Sequence, residues 1–221
     1  MAQPTETFIG LDGIPGAWVA VYLVGRDQYF DYGSLNRLLA ISYQRAMIDV
    51  PIGLPQRGYR ACDREARAFV GPCVFLGARW NVWTFDKYEQ ANEAYWKNDD
   101  EGISRQLWCI RDKLKEINEF ITPQLQMRLK ETHPELMFWK LNGQKSLAKK
   151  KTREGREKRI ALLKQEGFNK IDQWLGHRHG TGIGRDDLID ACACALAARD
   201  SNARLPEHPP TERGIRMEIW Y

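Results

Sequence analysis

Two short apolar runs that each end in an aspartate constrain this chain most. They are Phe8-Ile9-Gly10-Leu11-Asp12-Gly13 and Ala46-Met47-Ile48-Asp49-Val50. Aspartate is a poor strand residue and costs free energy to bury. A buried strand that closes on one puts a carboxylate at the edge of a sheet, where a site can form. Aspartate also caps turns, and turn residues follow both runs: Gly13, Pro15 and Gly16 after the first, Pro51, Gly53 and Pro55 after the second. One such residue reads most simply as a cap. Two, in a chain that holds a third acidic cluster, point toward function.

Strand and helix patterns follow one another around these runs. Ala17–Val24, rich in valine and aromatics, makes a hairpin partner for the first run, and 28–30 makes a short third strand. Ser34 caps a helix with Leu35, Leu38 and Leu39 at helical spacing. The middle of the chain, an insert at about 56–130, is helical. It contains a helix at 60–69, a second opened by a capping box of Asp86 and Glu89, and a long third capped by Ser104. The apolar stripe of the third is Leu107, Ile110, Leu114, Ile117 and Ile121. Residues 131–136 return to strand, 152–165 form a basic helix, 176–184 a Gly/His loop and 186–199 a last helix rich in Ala and Cys. Residues 215–221 make a final strand or a packed tail. Hairpin strands pair antiparallel and strand–helix–strand crossovers pair parallel, so this order predicts an α/β or α+β fold with a mixed sheet. At 221 residues the chain suits one domain, 1–221, carrying that insert.

Composition narrows the class. A chain that is 43% hydrophobic and 11% aromatic can offset its ordering entropy, which argues against disorder. The longest apolar runs, 17–24 and 191–198, fall far short of the ~18 residues of a membrane span. Residues 1–6 carry no basic residue and no apolar core, so no secretion signal is expected. Five cysteines form no scaffold pattern, and Cys192 and Cys194, two apart on a helix, face nearly opposite ways and make no metal clip. A reducing, cytoplasmic setting is expected. The net charge of +4 hides an asymmetry: 140–170 holds eleven Lys and Arg against three Glu, a surplus of +8, and the remainder carries −4.

The third acidic cluster is Asp186-Asp187-Leu188-Ile189-Asp190-Ala191. Asp187 and Asp190 share a helix face that Ala191, Cys194 and Ala198 continue, and small residues there allow close packing on a sheet. Acids at a helix start complement its dipole, which accounts for Asp186 and Asp187 but poorly for Asp190, at the head of the apolar stripe. Four converging carboxylates, Asp12, Asp49, Asp187 and Asp190, raise one another's pKa and cannot all ionise unaided. A divalent cation removes the conflict, and all-oxygen ligation selects Mg²⁺ or Mn²⁺ over zinc. A pair of such ions ~3.5–4 Å apart serves phosphodiester hydrolysis. Glu135, in Thr132-His133-Pro134-Glu135, is a further ligand, a general base or part of a surface turn. His177 and His179 are either proton shuttles near pH 7 or solvated loop residues. Lys149, Lys150, Lys151, Arg153, Arg156 and Arg159 can contact phosphates or simply line a solvated face. Trp80, Trp83, Tyr88, Tyr95 and Trp96 can stack bases or fill a core.

These residues are similar to those of domain-of-unknown-function family 429, predicted nucleases of the ribonuclease-H-like superfamily. The matching pieces are Gly10-Leu11-Asp12-Gly13, Asp49-Val50-Pro51-Ile52-Gly53-Leu54-Pro55 and Arg60-Ala61-Cys62-Asp63-Arg64-Glu65-Ala66-Arg67. His133-Pro134-Glu135 with Phe138-Trp139, Lys151-Thr152-Arg153-Glu154-Gly155-Arg156, Asp186-Asp187-Leu188-Ile189-Asp190-Ala191 and Arg216-Met217-Glu218-Ile219-Trp220-Tyr221 follow in the family's order. One departure is Ala17, where a second glycine is expected before Trp18. The resemblance implies a ribonuclease-H-like mixed five-stranded sheet flanked by helices. It also implies a site in which Asp12 is the first-strand acid, Asp49 the fourth-strand acid, and Asp187 and Asp190 the last-helix acids. The expectation is a two-metal nuclease, with Asp12 bridging both ions and nucleic acid as partner. Two other readings stay open. A nucleotide-phosphate hydrolase or kinase-like enzyme of actin-like topology needs two copies of the fold and a hydroxyl where Val50-Pro51-Ile52-Gly53 stands. A non-catalytic nucleic-acid-binding module has no reason to gather four repelling carboxylates.

Overall fold

The computed structural model describes residues 6–221; residues 1–5, which carry most of the segment read for a secretion signal, lie outside the description. In chain order the elements are β1 (Thr7–Ile14), β2 (Ala17–Val24), β3 (Asp27–Gly33), α1 (Leu35–Leu38), β4 (Arg45–Ile48), α2 (Ala61–Val70), α3 (Tyr88–Asp99), α4 (Arg105–Cys109) and α5 (Arg111–Phe120). There follow β5 (Leu129–Glu131), α6 (Pro134–Leu141), α7 (Arg153–Gln165), α8 (Ile171–His177) and α9 (Arg185–Asp200). Four two-residue strands come last: β6 (Arg204–Leu205), β7 (Thr211–Glu212), β8 (Ile215–Arg216) and β9 (Ile219–Trp220). Five strands form one mixed sheet in the order β3-β2-β1-β4-β5. In it β1 is antiparallel to β2, β2 is antiparallel to β3, and β1 is parallel to β4. The α/β class and the five-stranded mixed sheet with flanking helices are as expected. No helix among the described residues is long and apolar enough to cross a membrane, and all five cysteines are free thiols.

The chain divides into two compact units, each described by itself. The first takes residues up to Asp49, Thr132–Asn202 and Tyr221. Its β1–β2 hairpin closes in two residues, because Pro15 presets one turn torsion and Gly16 supplies the positive one, φ 72°. Ile9, Leu11, Val19, Ala20 and Val21 are fully buried. The outer strand β3 has no buried residue and closes the sheet with a polar edge. Helix α9 lies across β1, β2 and β4, with α6 and α7 packed on it. Its residues from Leu188 to Ala198 are all buried. Contact with β1 is backbone to backbone: a Cβ on Gly10 would stand 2.0 Å from the Ala195 nitrogen and 2.2 Å from the Ala191 oxygen.

The second unit takes Val50–Glu131 and Ala203–Trp220. Its buried polar centre is Arg60, whose Nη2 donates to Glu131 Oε2 at 2.5 Å. The same carboxylate accepts from the Ile52 N–H at 2.7 Å. Asn118 accepts from the Gly53 N–H and donates to the Pro51 carbonyl, both at 2.9 Å. The Pro51–Gly53 turn is thereby satisfied by buried side chains, as backbone groups removed from water require.

Four sequence expectations are corrected. Residues 131–136 do not form a strand: β5 ends at Glu131, and α6 starts at Pro134. Proline suits a first helical position, and His133 caps the end. The long helix expected after Ser104 breaks at Ile110 into α4 and α5. The Asp86–Glu89 capping box is absent, and the Lys87 N–H donates instead to Gln90 Oε1 at 3.3 Å. Helix α8 stands at Ile171–His177, ahead of and partly within the stretch read as loop.

Candidate metal centre

Parallel pairing sets the first two carboxylates side by side. Leu11 of β1 pairs with Ile48 of β4, and the Asp49 N–H donates to the Leu11 carbonyl at 3.0 Å. Asp12 and Asp49 are therefore neighbours just past the last paired residues. The third carboxylate arrives through packing. Gly10 and Asp12, two apart on a strand, share a face. That face meets Ala195 and Ala191 at Gly10, so Asp190, at the head of the same helix, lands beside Asp12. One oxygen from each of Asp12, Asp49 and Asp190 lies within 4.8 Å of the others. Asp190 is 3% exposed, while Asp12 and Asp49 are half-buried. Asp12 Oδ1 accepts from the Gly13 N–H at 2.7 Å, and Asp190 Oδ2 from Lys150 Nζ at 2.7 Å. Asp190 Oδ1 is buried with no hydrogen-bond partner.

Such a cluster resists full ionisation. Burial pushes Asp12 well above the usual carboxylate range, and repulsion from Asp49, Asp190 and Asp187 adds to it, with Lys150 pulling back. Burial also raises Asp49, against the pull of His133 and Lys150. Asp190 is pushed up to about 6, again chiefly by burial, although Lys150 opposes it. Lys150 is itself held above its ordinary range: burial pulls it down, but Asp190, Asp49 and Asp12 outweigh that. The metal-free cluster thus retains protons that a divalent ion must expel. Mn²⁺ affinity is expected to climb with pH through the range around 6 in which Asp190 gives up its proton. Calorimetry in two buffers of different ionisation enthalpy should count the released protons, and affinity flat across that range would contradict the arrangement.

The other predicted residues are placed as follows. Asp187 caps α9, its Oδ2 accepting from the Gly184 N–H at 2.9 Å, and only its charge is felt at Asp12. Glu135 stands outside the three-carboxylate group: Arg159 holds both its oxygens, Nε to Oε1 at 3.0 Å and Nη2 to Oε2 at 2.6 Å. Arg159 is therefore buried, 3% exposed, and turned inward rather than toward a phosphate. Lys150 also turns inward, to Asp190. Lys149, Lys151 and Arg153 are exposed, Arg153 pairing with Glu157 at 2.7 Å, and Arg156 is half-buried. His177 and His179 are exposed. In the second unit the aromatics mostly pack on one another, Trp80 against Trp83 and Tyr88 against Trp108, with Tyr95 buried and Trp96 exposed.

Sequence reasoning passed over His133. The Thr132 N–H donates to the Ile48 carbonyl at 3.1 Å, which brings the next residue alongside Asp49. His133 Nδ1 accepts from the Glu135 N–H at 3.2 Å, and the imidazole is among the groups that hold the Asp49 pKa down. The signal was available: a polar residue directly before a proline is a helix N-cap pattern. It marks a position at which a strand end and a helix start meet.

No curated protein and no solved structure matches the chain. Residues 10–211 match the family described as "Protein of unknown function (DUF429)". That span takes in every carboxylate of the centre, and the chain belongs to the DUF429 family.

Proposed function

We propose that this protein is a metal-dependent phosphodiester hydrolase, a nuclease, whose ion is held by Asp12, Asp49 and Asp190. One observation carries the reading: three carboxylates, from β1, the end of β4 and α9, bring one oxygen each within 4.8 Å of one another, Lys150 pairs with only one oxygen of Asp190, and Asp190 Oδ1 is left buried without a partner. A buried acceptor without a donor is costly, and a cation is the natural remedy. Oxygen-only donors suit Mg²⁺ or Mn²⁺. A divalent ion bound there supplies Lewis acidity and a water acidic enough to attack a phosphodiester near neutral pH.

The chain's own residues do the remaining work. The Gly13 N–H and the docked α9 fix Asp12 and Asp190, so the ligands need little reorganisation. Lys149 and Lys151, exposed on either side of Lys150, offer positive charge to a nucleic-acid backbone. The ribonuclease-H-like resemblance supports nucleic acid as the substrate. In the two-ion form of the chemistry, Asp12 and Asp187 would be the residues that hold the second ion. A calorimetric stoichiometry of two Mn²⁺ per chain supports that form, and a stoichiometry of one confines the site to the three carboxylates.

The test is cleavage of a panel of RNA, DNA, hybrid and branched substrates with and without Mg²⁺ or Mn²⁺. Metal-dependent cutting of at least one substrate is expected. Salt-dependent binding that ignores Mg²⁺ and Asp187→Asn would instead mark a binding module. Tight ATP binding with turnover would mark a nucleotide enzyme.

A further inference from the structure

The basic stretch from Lys149 to Arg159 is built as a clamp around one lysine. Thr152 Oγ1 accepts from the Gly155 N–H at 3.0 Å and donates to the Lys149 carbonyl at 2.8 Å. The Thr152 N–H donates to that same carbonyl at 2.9 Å. Gly155 lets the turn lie directly on α7, because a Cβ there would stand 2.2 Å from the Lys149 oxygen and 2.6 Å from the Ala148 oxygen. One turn further on, Arg159 Nη1 donates to the Ala148 carbonyl at 2.9 Å and to the Gly155 carbonyl at 2.8 Å. Glu135 fixes Arg159 in turn through both its oxygens. In this turn Lys149 and Lys151 are exposed, and Lys150 between them reaches Asp190.

The ion pair is not a fully buried one. The Lys150 side chain is 41% exposed against 4% for Asp190, so the ammonium has a route outward. Asp190 Oδ2 holds that ammonium while Oδ1 is buried without a partner. A divalent ion bound through Oδ1 would put two positive centres on one carboxylate in a poorly hydrated place, where their repulsion is strong.

We propose that Lys150 is a tethered cation of the carboxylate cluster: its ammonium sits on Asp190 in the metal-free protein, a divalent ion displaces it, and the displaced ammonium is then presented to an anionic oxygen of the substrate. The proposal rests on the metal-site reading above. It gives Glu135, Thr152, Gly155 and Arg159 one shared task, holding the turn that aims Lys150. In the exchange the Lys150 Nζ–Asp190 Oδ2 hydrogen bond gives way to a metal–carboxylate contact; Lys150 keeps its proton, and the protons released are those of the carboxylates.

The test uses the whole chain without nucleic acid. Lys150→Gln removes the charge and keeps much of the stem. Its Mn²⁺ affinity, by calorimetry, is expected to exceed the parent's by about fivefold or more. Amine acylation read by peptide mass spectrometry gives a second measure. Without metal, Lys150 should label several-fold more slowly than Lys149 and Lys151, and saturating Mn²⁺ should bring it level with them. Thr152→Val, which loosens the turn, should speed Lys150 labelling without any metal. If the parent binds Mn²⁺ but Lys150→Gln binds it no more tightly, or if Mn²⁺ leaves Lys150 labelling unchanged, the tether is overturned and the metal site stands. If neither protein binds Mn²⁺, the metal reading falls and takes the exchange with it.

Discussion

Asp12→Asn is expected to abolish metal-dependent cleavage while making the metal-free protein more stable. Asp12 has the carboxylate most strongly opposed by its neighbours, since burial, Asp49, Asp190 and Asp187 all disfavour its charge. Asparagine keeps the shape and an acceptor oxygen but carries no charge. A cation held by two carboxylates instead of three binds less tightly, and cleavage should fall by roughly 10²–10³-fold or more, the scale on which one charge-stabilising group matters in a site. The stability effect has the opposite sign. A carboxylate whose folded pKa is raised favours folding only when protonated. The parent therefore loses stability as pH rises from the unfolded value near 4 through the folded one. At Asp190, where the folded value is about 6, the charged form is disfavoured by roughly 2–3 kcal/mol. Asp12→Asn should then raise the melting temperature of the metal-free protein at about pH 7.5 by a few degrees, on the order of 1–2 kcal/mol. The advantage should shrink toward pH 4, where the parent's Asp12 is protonated anyway. Lost cleavage together with lost stability would show that Asp12 is a structural residue, whereas unchanged cleavage would sink the nuclease reading.

Gly10→Ala is expected to be among the most damaging single changes in the first unit. A methyl group at that position would meet the Ala195 nitrogen and the Ala191 oxygen at 2.0 and 2.2 Å, and both atoms are helix backbone that cannot rotate aside. Ordinary overpacking costs about 1–3 kcal/mol where side chains can shift. Here α9 as a whole must move, so a loss beyond about 3 kcal/mol is expected. Because the same docking delivers Asp190, Mn²⁺ binding should weaken even in the folded fraction. Gly16→Ala is the control. That position, unlike Gly10, has a positive φ, 72°, and open space around it, so it should lose only the left-handed backbone penalty of about 1–2 kcal/mol. Chemical unfolding of the two variants, with Mn²⁺ titration of each, orders them. Equal losses would contradict the backbone contact.

What was legible in the sequence was what local chemistry determines. Asp12 and Asp49 stood out because apolar strands rarely end in acids without a reason. Asp190 stood out because it heads an apolar helix stripe. Ser34 and Ser104 were readable as caps because a hydroxyl ahead of a helical pattern has a local partner. What was not legible depends on distant partners. Arg159 looks solvated within a charge run, and Glu135, on another helix, together with the Ala148 and Gly155 carbonyls makes its burial possible. Lys150 and Lys151 are indistinguishable as letters, and the turn between α6 and α7 decides which one faces Asp190. Asp187 and Asp190 share a helix face, but the N–H of Gly184, just ahead of α9, claims the first and leaves the second for the cluster. The break at Ile110 has no signature in the apolar stripe, which runs on through it.

The contact between β1 and α9 also has a consequence for biosynthesis. Asp12 leaves the ribosome early and Asp190 late, so the centre has no complete ligand set while most of the chain is being made. At about 5–20 residues per second, the nascent protein spends most of its synthesis without the helix that assembles the cluster. If the centre cuts nucleic acid, the growing chain is harmless to the message it is read from until α9 has emerged and settled on Gly10.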